Sequence, residues 1–284
     1  QHRPSRSDGR RLDDGIAANP TSAAPPLVQE GMSEQPLDAQ HASQAKPASW
    51  LDLPLYLVGG FGLLMLASAG VGFVFQEVTI LASVALYLLN FLTLAGAVYV
   101  WGVRRGKVTW AEMGFLPPRA QWWWLLAAIA TSAVLIPLRM ALGYLVLWLV
   151  EGDLAGIQAR ADLITAGMSF SWINFALTFL GAGLLAPISE ELYFRGLLHG
   201  WFRSRRFVFW LRVLLSSALF GLAHFDSLAV VVSSFVLGLT NALFYEWSKS
   251  IWVPITVHVI TNSVAVVVLY VALAVMEYSP MLGG

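Results

Sequence analysis

The chain contains no cysteine. That removes disulfides, thiolate nucleophiles and Cys-ligated zinc, and leaves the redox compartment open. Charge is scarce as well: 17 Lys+Arg and 17 Asp+Glu in 284 residues make 12%, against about 25% in an ordinary globular protein. A soluble chain of this size could not cover its surface with so few charges. The two signs also cancel, so no basic field is present to hold nucleic acid through its phosphates. No segment alternates apolar and polar residues with period two, which excludes a membrane β-barrel. What the chain does have is apolar sequence, 57% hydrophobic with a mean hydropathy of +0.67. It reads as an integral, multi-pass membrane protein.

Residues 1–50 differ from the rest. They hold five basic and six acidic residues and six prolines, with no aromatic before Trp50. Such a segment cannot bury enough apolar surface to offset the entropy of ordering, so a disordered cytoplasmic tail is expected. It has no apolar stretch after a basic start, unlike a secretory signal peptide. The start at Gln1 rather than Met is read as a fragment boundary. The remainder, 51–284, is expected to form a transmembrane helical domain. Apolar runs long enough for a roughly 30 Å hydrocarbon layer follow one another at 53–75, 78–103, 122–149, 173–200, 208–226, 228–246 and 251–273. The expected fold is therefore an all-α polytopic bundle of seven helices, or eight if the long third or fourth run breaks at Pro137 or Pro187. There is no internal repeat.

Basic residues orient the bundle. Arg3, Arg6, Arg10, Arg11 and Lys46, then Arg104, Arg105, Lys107 and Arg119, then Arg203, Arg205, Arg206, Arg212 and Lys249 fall on one set of connections, with Arg160 alone on the other. A cytoplasmic N-terminus and an external C-terminus follow, in what is expected to be a bacterial cytoplasmic membrane. Trp101, Trp122, Trp124, Trp201, Trp247 and Trp252 stand near span ends, where an amphipathic ring favours the interface. Trp110–Arg119 mixes apolar, charged and proline residues, and a short surface helix and turn is expected there. Gly59, Gly60, Gly62, Gly70 and Gly72 suggest close helix contacts along the first span.

Ionisable groups within spans are functional candidates by default. Here they are Arg139, Glu190, Glu191, Arg195, His199, His224 and His258, with the amides Asn241 and Asn262. Three patterns emerge: Glu190-Glu191-Leu-Tyr-Phe-Arg195, Phe220-Gly-Leu-Ala-His224 and His258-Val-Ile-Thr-Asn262. In each, outer members four apart share a helical face. At about 1.5 Å per residue, Glu190 lies about 20 Å from Arg203, His224 about 18 Å from Arg212 and His258 about 14 Å from Lys249. The three patterns therefore reach similar depth, near the midplane. A carboxyl taken out of water resists ionisation and a second beside it adds to this, whereas Arg195 favours the charged form. One carboxylate is thus suited to fixing structure and the other to taking a proton from water. A histidine can share the base role, donate to an oxyanion or bind a metal, and an asparagine can donate to an oxyanion. These are parts for water-activating hydrolysis.

EExxxR, FxxxH and HxxxN in this order and in separate helices resemble the CPBP family (CAAX protease and bacteriocin-processing), which includes the type II CAAX prenyl endopeptidases and Abi-type bacterial proteins. The resemblance covers about residues 175–272, and the run Glu246–His258 supports it. It implies an intramembrane endopeptidase that cuts a membrane-associated or lipidated peptide near the cytoplasmic side, in a lipid environment. In that family's terms Glu190 activates water with His224 assisting, Glu191 is held by Arg195, and His258 and Asn262 stabilise the oxyanion. No cofactor is then required. The zinc version of the same protease would use Glu190, His224 and His258 as ligands.

Plainer roles compete for each residue. Glu190 and Glu191 could serve only as a structural ion pair with Arg195, although adjacent carboxylates point about 100° apart and one guanidinium does not easily satisfy both. His258 and Asn262 could serve interhelical hydrogen bonding. Phe220 is expected to pack against the site, and His199, Asn241 and Glu246 to be interfacial or packing residues. Arg139 is left without a role. A non-enzymatic alternative is a transporter with a midplane proton relay, or an inactive scaffold. Transporters commonly show paired broken helices in related halves, whereas here the polar residues crowd into the C-terminal half.

Overall fold

The computed structural model describes residues 48–77, 79–115, 122–151, 170–225 and 227–282, all within the compact unit Ser43–Gly284. The tail expected over 1–50 lies outside the described residues except for its last three, as do Arg119 and Arg160. Seven helices follow in order: α1 Asp52–Val74, α2 Ile80–Val103, α3 Trp123–Glu151, α4 Trp172–Ser204, α5 Phe209–Leu222, α6 Leu228–Ser248 and α7 Trp252–Leu282. No strand occurs among the described residues. The protein is an all-α polytopic membrane protein.

Six of these helices are long and apolar enough to cross a membrane. The fifth run, expected as a crossing over 208–226, is helical only over the 14 residues Phe209–Leu222, about 21 Å at 1.5 Å per residue. That falls short of a roughly 30 Å core. The reason is local. His224 and Phe225 sit in a turn, and Ser227 starts α6 by accepting from the Val230 N–H, as a serine N-cap does. The α5–α6 hairpin therefore turns over at His224.

Neither proline breaks its helix, so the expectation of eight spans is not realised among the described residues. α3 runs through Pro137. α4 passes Pro187 by widening into π-helical turns over Phe179–Leu185 just before it. Proline has no N–H, so carbonyls about one turn earlier lose their helical donor. Two side chains from α7 replace it: Asn262 Nδ2 donates to the Ala182 oxygen at 3.2 Å and Ser263 Oγ to the Gly183 oxygen at 3.4 Å.

α4 is the central element and packs against α1, α2, α5, α6 and α7, while α3 packs on α6 and α7. Every residue from Leu192 to His199 is buried. The outer faces carry large apolar side chains such as Leu66, Phe73, Leu92, Val134, Trp148 and Val271, the surface that lipid covers. Two of the five glycines in α1 make the expected close contacts. A Cβ at Gly59 would overlap the Trp101 ring and one at Gly60 the Tyr193 ring, whereas Gly62 faces only its own helix and Gly70 and Gly72 face open space.

Basic residues from separate connections gather at one end of the bundle. Arg105 and Lys107 both pair with the buried Asp52 at 3.1 Å. Arg203 donates to the Glu112 oxygen, and Arg205 donates to the Ala48 oxygen and covers the Trp50 ring. At the same end Glu246 is buried and accepts from Arg212, from Lys249 Nζ at 3.0 Å and from His199 Nε2 at 2.7 Å. The segment expected as a short helix is instead a run of turns over Trp110–Phe115, with 116–121 outside the described residues. Gly114 has φ +74° and lies so close to the Lys249 carbonyl that no side chain fits. Ser250 Oγ and Trp252 Nε1 donate to the oxygens of Gly114 and Phe115. Among the end-standing tryptophans, Trp201 departs from the interfacial expectation: it is buried and donates to the Ser49 oxygen at 2.9 Å.

Candidate active site

The neighbours Glu190 and Glu191 sit on α4 just after Pro187, where the helix returns from its wide turns. Their side chains diverge, and their surroundings differ accordingly. Glu191 is fully buried. Its Oε1 accepts three hydrogen bonds, from Arg195 NH1 at 3.0 Å, Asn241 Nδ2 at 2.8 Å and His258 Nδ1 at 2.8 Å. Arg195, also fully buried, spends its second amino group on the Gly238 oxygen at 2.8 Å and stacks its guanidinium 4.6 Å from the Phe220 ring centre. One carboxylate thus ties α4 to α6 and α7, with an arginine in the same turn balancing its charge.

Glu190 looks the other way. Its Oε1 accepts from Asn90 Nδ2 of α2 at 3.0 Å. Its Oε2 faces two imidazole nitrogens, His224 Nε2 at 3.9 Å and His258 Nε2 at 3.8 Å. These separations exceed a direct hydrogen bond and suit a bridging water. The partners of the other ring nitrogens assign both tautomers. His224 Nδ1 lies 2.8 Å from the Phe220 oxygen, and a carbonyl only accepts, so Nδ1 carries the hydrogen. His258 Nδ1 likewise donates to the Glu191 carboxylate. In the neutral rings both Nε2 atoms are therefore lone pairs turned toward Glu190.

Phe220 is the packing centre of the site. It is fully buried, with ring centres 5.0 Å from Phe194, 4.9 Å from His224 and 5.5 Å from His258. Beside Glu190 and His224 lies a cavity of about 310 Å³, lined by Phe61, Met65 and Ser68 of α1, Tyr87 and Asn90 of α2, and Phe194 of α4 among others. Its wall is mostly apolar and its polar groups converge on Glu190, the usual character of a small-ligand or substrate site.

The structure thus brings together Glu190, Glu191, Arg195, His224 and His258 from α4, the end of α5, and α7. Asn262 lies one turn beyond His258, with one amide hydrogen spent on Ala182. Asn241, expected as a packing residue, belongs to the site through Glu191. His199 and Glu246 do pack, in the buried cluster at the basic end, where His199 Nδ1 also meets Ser216 Oγ at 3.0 Å. Arg139 donates from Nε to the Ser233 oxygen at 3.1 Å and joins α3 to α6. Asn90 was not among the sequence candidates. As the one amide in its span it carried the same signal as Asn241 and Asn262.

For the zinc set Glu190, His224 and His258, ligands about 2.0–2.1 Å from a tetrahedral ion stand roughly 3.4 Å from one another. Both imidazole-to-Oε2 distances exceed that. Among the described residues no group of three or more His, Cys, Asp or Glu is arranged to hold a metal ion.

Fold and site together define a polytopic helical membrane protein with a buried carboxylate–imidazole centre at the level where α5 turns into α6. Residues 171–264 match the family of type II CAAX prenyl endopeptidases described as Rce1-like, and over this segment the chain is similar to the CPBP family that its motifs resemble. It is 32% identical over 110 residues, 39% of its length, to a Bacillus subtilis (strain 168) protein named "Putative membrane peptidase YdiL", of which 41% is covered. It is 35% identical over 85 residues, 29% of its length, to an "Uncharacterized 24.3 kDa protein" of Escherichia coli, of which 39% is covered. The chain thus spans about two fifths of the length of these curated relatives. No solved structure matches it significantly.

Proposed function

We propose that the protein is an intramembrane endopeptidase that hydrolyses a peptide bond in a membrane-associated or lipidated peptide, using water activated by Glu190. The observation that carries this reading is the division of labour between two adjacent carboxylates. Glu191 is saturated on Oε1 by Arg195, Asn241 and His258, whereas Glu190 turns Oε2 to two imidazole nitrogens beside a cavity. A group that is to gain and lose a proton cannot be pinned by a bonded arginine, and among the described residues no arginine is hydrogen-bonded to Glu190, whereas Arg195 is bonded to Glu191. The names of the matched family and of the Bacillus relative, which speak of an endopeptidase and a peptidase, support the same class.

In this reading a water lies between Glu190 Oε2 and His224 Nε2. Glu190 takes its proton as the oxygen attacks the scissile carbonyl carbon, and the lone pair on His224 Nε2 orients the remaining O–H. The carbonyl π bond opens to an oxyanion. His258, when protonated on Nε2, donates to it, with Glu191 behind Nδ1 supporting the positive ring. Asn262 keeps one amide hydrogen for the same oxygen. As the intermediate collapses, the C–N bond breaks and Glu190 returns its proton to the leaving amine. The reading requires no metal. The charged connections gathered at one end support an N-terminus on the cytoplasmic side, with cleavage toward that side.

The test is cleavage of a peptide library by the purified protein in detergent, with Glu190→Ala and His224→Ala as controls. Loss of cleavage in both is expected, and cleavage surviving both substitutions would sink the assignment. Full activity after exhaustive chelation, with no metal by elemental analysis, is expected as well. Loss on chelation with recovery on adding zinc would favour the zinc version.

A further inference from the structure

Glu190 accepts its one described hydrogen bond from outside the matched segment, from Asn90 on α2. We propose that Asn90 is a positioning residue for Glu190: its amide fixes Oε1 and so reserves Oε2 for the two imidazoles. The inference rests on the hydrolytic reading above and adds to it a residue that none of the three motifs contains.

The argument begins with the torsion. The terminal torsion of a glutamate is soft and roughly two-fold, so an unheld carboxylate exchanges its oxygens, and neither is dedicated to the imidazoles. A single donor at 3.0 Å on Oε1 breaks that symmetry. The two imidazoles then meet the same oxygen, Oε2, at 3.9 and 3.8 Å. Charge makes the same point. Glu191 is held by a cation and two further donors on one oxygen, which suits a carboxylate that stays ionised. An amide, by contrast, orients a carboxylate without neutralising it, and leaves it able to accept and return a proton.

The local cost points the same way. Asn90 Oδ1 is buried and has no hydrogen-bond partner among the described residues. An orphaned buried acceptor costs about 1–3 kcal/mol. A leucine would avoid that cost in a helix that otherwise reads Leu-Tyr-Leu-Leu-Asn-Phe-Leu. Packing therefore does not account for an amide at this position, and its one described side-chain hydrogen bond is to Glu190. Asn90 also lines the cavity that Glu190 and His224 share.

The experiment uses the full chain in detergent and a peptide that the wild-type protein cleaves, with Asn90→Ala, Asn90→Leu and Asn90→Asp compared by kcat, KM and thermal midpoint. For Ala and Leu, kcat is expected to fall roughly 10- to 100-fold with KM within about twofold. Asp keeps the shape of Asn but loses the donor and sets a carboxylate against a carboxylate, so its fall should be at least as large. A role in packing alone would make Asp the mildest of the three, and wild-type kcat in Asp or in Leu would overturn the proposal. So would a rise in KM with kcat unchanged, which marks a substrate contact. Infrared difference spectra against Glu190→Gln need no substrate. The Glu190 carboxylate band should move in Asn90→Leu, and an unmoved band would overturn the proposal whatever the kinetics. Activity in Glu190→Ala would instead refute the hydrolytic reading itself, so the two failures are distinguishable.

Discussion

Replacing Arg195 by methionine tests whether the Glu191 cluster is a buried ion pair in the energetic sense. Both side chains have zero exposure and are joined at 3.0 Å. Methionine fills much of the same space but removes the guanidinium. Glu191 Oε1 would keep Asn241 and His258, Oε2 already has no partner among the described residues, and the Gly238 carbonyl would lose its donor. Removing one partner of a buried pair costs about 3–5 kcal/mol, because the other charge is left uncompensated. At about 2–4 °C per kcal/mol for a chain of this order of size, the thermal midpoint in detergent should fall by roughly 6–20 °C. The sharper expectation concerns the double variant Glu191→Gln/Arg195→Met. Its neutral amide still offers an oxygen to Asn241 and His258, so it should melt above Arg195→Met even though it carries one more substitution. We expect a recovery of at least about 2 kcal/mol in the double-mutant cycle. An Arg195→Met protein that melts within about 2 °C of wild type, or a double variant below the single, would refute the claim that an uncompensated charge sets the cost.

Gly181→Ala places a Cβ within overlap of the Tyr87 ring and should cost about 1–3 kcal/mol as overpacking. Adding Tyr87→Leu should return part of that loss in the same melting assay. Asn262→Ala removes one interhelical hydrogen bond, worth about 0.6 kcal/mol and at most about 1.7, so the variant should stay folded. Its turnover should nonetheless drop about 10²–10³-fold if the amide also serves the oxyanion, and equally small effects on melting and turnover would leave it only the α4–α7 bond. Glu246→Ala strips a shared acceptor from Arg212 and His199 and should destabilise by about 3–5 kcal/mol. Lys249→Ala removes a half-exposed partner of the same carboxylate and should change stability by less than about 1 kcal/mol.

Much of this was legible from the positions of rare residues. Glu190, Glu191, Arg195, His224 and His258 stand out because a membrane helix excludes such groups, and helical rise alone set them at one depth. What the sequence hid was neutral or local. Asn90 carries no charge and lies a hundred residues from its partner. Asn241 falls outside the three four-residue patterns and so read as packing, although it donates to the carboxylate at their centre. The fifth crossing was overcounted because hydropathy does not register a turn at His224 and Phe225 or a serine cap at 227. Pro187 suggested a break, but the remedy came from Asn262 and Ser263 on another helix, which no local pattern announces.

The cavity beside Glu190 is built from two sources. The candidate groups Glu190, His224 and His258 come from α4, the turn after α5, and α7, whereas Phe61, Met65, Ser68, Tyr87 and Asn90 come from α1 and α2, upstream of residues 171–264. In the hydrolytic reading proposed above, one wall of the cavity and the carboxylate–imidazole centre thus come from separate stretches of the chain. On that reading, substitutions at Phe61, Met65, Ser68 and Tyr87 should reshape which peptides enter while Asn90 still holds Glu190, so a library confined to those four positions is the natural place to re-target the protein. Conversely, a piece limited to residues 171–264 would carry the acid and the imidazoles with one wall of their chamber missing.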